Sequence, residues 1–344
     1  MIRRWMHARE RRHHAREDNR RVRPFEWGAP LAFDHLNGDD PRRLFPERAR
    51  EAVARSREFY ALPPVEDYRL HPDNLLTWTS AVHTPTPENN TARARYFPAR
   101  KQPESSGSGR RAVVLLPHWN ATAASHEELA RIFARLGIAA LRLVLPYHEE
   151  RNEPGLERAD YLVSPNLGRT LQSVRQAVLD TRAAVRWLTS QGYESVGIVG
   201  TSIGSCTAFL TFAHEPLLRA GVFNHVSGYF ADVVWRGLST RHVREGLGTH
   251  VTLEELRAAW LPISPLAHVE RLRELGPRPM RFICARHDLT FPADLSQGII
   301  DGVRHQAQHP LDAVWLPCGH YTLGQTPWKH IDGWKIVTYL RKHL

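Results

Sequence analysis

The chain has 344 residues, 42% of them hydrophobic, including ten Trp and twelve Phe, which is enough apolar material for one large core. Its net charge of +10 is uneven: nine Arg against Glu10, Glu17 and Asp18 leave residues 1–24 with a surplus of six, and the other 320 residues carry only +4. No interleaved aromatics or binding motif makes nucleic acid the main ligand, no apolar run reaches the roughly 18 residues of a spanning helix, and Cys206, Cys284 and Cys318 are too scattered for a disulfide framework.

The N-terminus, MIRRWMHARERRHHARED, has arginines but no apolar stretch behind them, so it is not a secretory signal. Residues 1–24 read as a solvated, poorly ordered basic tail, open to anionic partners. Residues 25–72 form a lead-in, with a helix from Pro46 to Tyr60 stopped by Pro63 and Pro64. LLTWTSAVHT (Leu75 to Thr84) and TARARYF (Thr91 to Phe97) predict an antiparallel hairpin turned by PTPENN, and Lys101 to Arg111 predicts a surface loop. AVVLLP (Ala112 to Pro117) is a strand buried on both faces. SHEELARIFARLG follows as a helix capped by Ser125, with Glu128 at the capping-box position and Gly137 as its stop.

IAALRLVLP continues the sheet, a long helix spans Leu167 to Gln191, and SVGIVG leads straight into the helix IGSCTAFLTFAH. AGVFNHV, RFICA and AVWLPC are further strands, and the segment from Tyr229 to Pro262 is either a lid or a packed helical excursion. WKHIDGWKIVTYLRKHL closes the chain as a helix. The expected architecture is α/β: a mostly parallel sheet of about eight strands with helices on both faces. It occupies residues 73–344 and carries a small helical cap at 229–262.

Gly200-Thr201-Ser202-Ile203-Gly204 is the central chemical signal. In a nucleophile elbow a strand turns sharply into a helix, and small flanking residues let the two approach. A serine hydroxyl needs a base to take its proton and a third group to orient that base. In such hydrolases the acid and then the histidine follow the serine. Asp288 stands just past the strand RFICA and His320 just past AVWLPC, both at the carboxyl end of the sheet. Asp232 is the alternative acid. Two backbone amides would receive the developing negative charge: that of Ile203, and one from His118-Trp119-Asn120, with Trp119 and Asn120 both open. His118, Tyr161 and Arg169 are candidate substrate contacts, Arg169 for a carboxylate. Alternatively, Asp160 to Arg169 is a capping loop with Asn166 as N-cap.

Together these residues resemble the α/β-hydrolase superfamily from Leu75 to the C-terminus. More narrowly, LPHWNA, LPYHEER, RADYLVSPNLGRT, GTSIGSC, FNHVSGYFADVVW and PCGHYTLG resemble bacterial relatives of alpha/beta-hydrolase domain-containing protein 18. The resemblance implies a Ser202, Asp288 and His320 triad but no settled substrate. His118-Trp119 departs from the His-Gly of many esterases, so lipase or carboxylesterase preferences do not carry over. The expectation is a cytoplasmic serine hydrolase that needs no metal or organic cofactor and acts on a small-molecule ester or lactone. Amide, thioester and acyl-transfer chemistry stay open, as does a non-catalytic binding or scaffold role.

Overall fold

The computed structural model describes residues 2–17, 19–33, 40–100 and 109–344. Its sheet runs β1 (Arg69–Leu70), β2 (Leu75–Thr79), β3 (Thr91–Phe97), β4 (Arg111–Leu116), β5 (Ile138–Val144), β6 (Ser195–Thr201), β7 (Leu218–Asn224), β8 (Met280–Ala285) and β9 (Asp312–Leu316). The spatial order is β1-β2-β3-β5-β4-β6-β7-β8-β9. Pairing is antiparallel from β1 to β5 and parallel from β5 to β9. The mostly parallel α/β expectation holds, with nine strands among the described residues where about eight were expected. The additional β1 has only two residues, both exposed, and so no apolar alternation to read.

The apolar runs have a simple cause. Along β4, Ala112, Val114 and Leu116 point into one core and Val113 and Leu115 into the other, because successive side chains leave opposite faces. The larger core is covered by the helices Leu167–Ser190 and Ile203–His214, the smaller by Glu127–Arg135 and Trp328–His343. All twelve residues of Ile203–His214 are buried, as a helix without a polar face requires. Among the described residues no helix is long and apolar enough to cross a membrane.

Two local readings change. Ser125 does not cap a helix: that helix starts at Glu127 after His126, whose φ of 65° is left-handed, and Ser125 Oγ instead accepts from the Thr122 amide at 3.1 Å. His126 Nε2 reaches Thr201 Oγ1 at 2.9 Å, beside Ser202, a long-range contact that competes with local capping. The basic tail is not loose either: Ile2–His14 is a helix, α1, packed on the loop after β9 through buried Met6 and Glu10. The loop expected at Lys101 to Arg111 falls mostly outside the described residues, and Arg111 opens β4.

Candidate active site

The turn from β6 into Ile203–His214 makes its glycines obligatory. A Cβ at Gly200 would stand 2.1 Å from Gly204 O, and one at Gly204 would stand 2.4 Å from the carbonyl oxygens of both Leu116 and Pro117. Gly204→Ala therefore forces backbone apart. It should cost about 3 kcal/mol in denaturant unfolding, while a loss below about 1 kcal/mol would contradict the contact. At the apex Ser202 has φ 58° and ψ −121°, a conformation that costs a non-glycine residue about 1–3 kcal/mol. The hydrogen bond from its amide to Asn224 O, 2.8 Å, helps hold it there.

Ser202 faces a cavity of about 530 Å³ whose wall also includes His118, Trp119, Asn120, Ile203, His225 and His320. Asp288, just past β8, is buried and its carboxylate is fully used. Oδ1 accepts from the amides of Thr290 and Phe291, both at 2.7 Å, and Oδ2 lies 3.1 Å from His320 Nδ1. Burial opposes the carboxylate's charge, but the charge and hydrogen bond of His320, with His225 close by, hold it well below the usual range. For His320, burial pulls the imidazole down, and the charge and hydrogen bond of Asp288 outweigh it, leaving its pKa raised above 6.5. The Phe291 ring stacks on His320 at 5.5 Å and 9°.

Sequence reasoning missed His225. It follows β7, with φ 57°, and its Nδ1 lies 2.8 Å from the same Asp288 Oδ2, out of line for a directed hydrogen bond. The available signal was its place one residue past a strand at the carboxyl edge. His225, Asp288 and His320 each offer one donor atom within 4.8 Å of the others, a set that a metal ion could in principle use. A cation there would compete with the imidazole nitrogens for Oδ2, because Oδ1 already takes two amides.

The remaining candidates separate cleanly. Asp232 is not beside either histidine; its carboxylate is paired with Arg257 at 2.6 and 2.8 Å. The Asn120 amide donates to His148 Nε2 at 2.9 Å, while His148 Nδ1 lies 2.9 Å from Pro146 O. The second contact puts the proton on Nδ1 and leaves Nε2 to accept. Burial lowers His148 to about 4, so it is neutral. The Trp119 amide has no partner among the described residues, while the Trp119 indole donates to Ala159 O at 2.9 Å. His118 lines the cavity, its basicity lowered chiefly by burial. Tyr161 and Arg169 stand outside the cavity wall, where the Arg169 guanidinium covers the Tyr161 ring at 4.0 Å. The Arg169 amide donates to Asn166 Oδ1 at 2.9 Å, the capping arrangement.

The segment from Tyr229 to Pro262 packs as three short helices, with Trp260 fully buried and donating to Leu167 O. Phe230, Val233 and Val234 supply the cavity's apolar side. Cys206, also on the wall, is a free buried thiol pushed up by burial and so not an anionic nucleophile at neutral pH.

No family model matches the sequence, and no curated protein does. Solved structures do match in fold. Pyrococcus horikoshii acylaminoacyl peptidase superposes with a TM-score of 0.59 at 13% identity, over 83% of this chain and 43% of that one. The acetyl xylan esterase from Paenibacillus sp. R4 gives 0.58 at 13% identity, over 92% and 99%. The Pyrococcus furiosus esterase Pf2001 gives 0.51 at 15%, over 82% and 97%. The chain thus spans less than half the length of the peptidase it matches but nearly the whole of both esterases. With its nine-stranded, mostly parallel sheet and the Ser202 corner after β6, the chain has the α/β-hydrolase fold.

Proposed function

We propose that the protein is a serine hydrolase that cleaves an ester-type bond, a carboxylic ester or lactone, through an acyl-enzyme. The observation that carries this reading is Ser202, presented at a strained strand-to-helix corner in the cavity that also receives His320, itself held at Nδ1 by Asp288. Ser202 Oγ adds to the substrate carbonyl carbon as its proton passes to His320 Nε2. Asp288 fixes the tautomer with Nδ1 protonated and stabilises the imidazolium. The oxyanion is received by the amides of Ile203 and Trp119; the Asn120 amide is already committed to His148. Collapse breaks the carbonyl carbon–alkoxy oxygen bond, and the departing alcohol takes the proton from Nε2. Water then adds by the same route and releases the acid and Ser202.

Esterases and peptidases both share this fold, so the choice of an ester rests on the cavity. A cavity of about 530 Å³ lined in part by Phe230, Val233 and Val234 suits a small or medium acyl group. The test is labelling by a fluorophosphonate probe, followed by a screen of acyl length and leaving group that includes amides and thioesters. Label on Ser202 of the folded protein is the expected result; a folded protein that leaves the probe unreacted overturns the assignment.

A further inference from the structure

Helix α1 has two buried residues, Met6 and Glu10, one turn apart on the same face. Burying a carboxylate in that stripe is costly unless its oxygens are satisfied. Both are: Oε2 accepts from the Tyr321 amide at 2.9 Å and Oε1 from the Thr322 amide at 3.0 Å. These are the two amides that follow His320. Thr322 Oγ1 accepts from the Gly319 amide at 2.8 Å and lies 3.5 Å from Met6 Sδ, so the residue that the helix holds also ties the loop together across the histidine. The fit is close enough to specify residue 319, where a Cβ would stand 2.3 Å from Glu10 Cδ.

We propose that Glu10 is a positioning residue for His320: α1 docks on the loop after β9 through this carboxylate and holds the imidazole in register with Ser202 and Asp288. The inference rests on His320 acting as the base. It gives the arginine-rich N-terminus a role inside the site, because the chain just beyond α1 supplies Glu17 and Arg20 to the cavity wall. Other contacts keep the helix attached when Glu10 is changed: Arg9 and His13 reach Gln325 at 2.6 and 2.7 Å, and His14 Nε2 lies 2.7 Å from Leu238 O. A substitution at Glu10 therefore tests the carboxylate rather than the helix.

The charge of Glu10 also bears on His320. It adds, with Glu17, to the dominant effect of Asp288 in raising the imidazole above its ordinary value. His225, its ring 4.5 Å from that of His320, and His118 on the cavity wall are both lowered by burial, which disfavours their charged forms. Arg20 donates to Tyr321 Oη at 3.2 Å, and Lys329 is also on the cavity wall. Asp332, also on that wall, is raised by burial to about 7, so a rate profile alone would mix two titrations.

The experiment combines kcat/KM profiles with NMR titration of the His320 ring, assigned from a His320→Gln sample, in wild type, Glu10→Gln, Glu10→Asp and Gly319→Ala. Glu10→Gln should lower kcat/KM by about 10-fold to 100-fold, the cost of a misplaced catalytic group. It should also move the His320 titration to lower pH, because a negative charge is lost. Glu10→Asp should restore the titration and part of the rate, and Gly319→Ala should reproduce the rate loss from the loop side with Glu10 intact. Wild-type rates in Glu10→Gln and Gly319→Ala overturn the proposal. A rate loss with the His320 titration unmoved also overturns it, by reducing the contact to simple scaffolding. If the wild type leaves the fluorophosphonate unreacted, it is the serine hydrolase reading that fails, and the ring titration still decides whether Glu10 governs His320.

Discussion

Ser202→Ala is expected to lower kcat on model acyl esters by a factor on the order of 10⁴ to 10⁶ and to abolish fluorophosphonate labelling, with the fold intact. The size follows from what is removed. On the proposed mechanism, without Oγ no acyl-enzyme forms, and only binding and the proposed oxyanion amides of Ile203 and Trp119 remain to favour direct attack by water. Retention of the fold follows from local packing. The corner is set by Gly200, Gly204 and the Ser202 amide, none of which depends on the hydroxyl. Ala at φ 58° keeps the same backbone strain as Ser, so unfolding midpoints should differ little. A variant that stays folded and retains more than a tenth of wild-type kcat would remove Ser202 from the chemistry.

Much of the architecture was legible because it rests on patterns that burial enforces. Continuous apolar strands and the all-apolar helix after Ser202 can be buried only between layers, and they appear where the pattern places them. The corner was legible for the same reason: only glycine fits against the carbonyls of Leu116 and Pro117. Features decided by distant partners were not. Glu10 reads as one acid among arginines until the amides of Tyr321 and Thr322, more than 300 residues away, are beside it. The Asn120 amide is an open candidate until His148, 28 residues on, accepts its hydrogen bond. Arg169 could be read as an anion receiver until its guanidinium is found on the Tyr161 ring, away from the cavity. Charged and polar side chains show such choices poorly in sequence, because hydrogen bonds impose no periodicity on it.

The second large effect separates the two histidines that touch Asp288 Oδ2. His320→Ala is expected to lower kcat on the order of 10⁴-fold or more, and Asp288→Asn by about 10⁴ through the wrong tautomer. His225→Ala should cost no more than about tenfold, the scale of losing one neutral contact to the carboxylate. The asymmetry comes from geometry and charge together. His320 is aligned on Asp288 and raised by it, whereas His225 is out of line and lowered by burial. The same contrast fixes the pH dependence. On the proposed mechanism His320 must be neutral to accept the Ser202 proton and its pKa is raised, so the limb of kcat/KM that His320 contributes, told from that of Asp332 by the ring titration, should climb with pH through a midpoint above 6.5. Asp288, held low, stays charged across that range and adds no limb of its own. Its contribution to stability has the opposite reach: present above the ordinary carboxylate pKa, it is lost only as the pH falls toward the lowered value. In Asp288→Asn the imidazole loses the charge that raised it, so the rate midpoint should drop even as the rate collapses. A profile flat from pH 5 to 8, measured with chemistry rate-limiting, would remove His320 as the base, and a His225→Ala enzyme as inactive as His320→Ala would give His225 that role.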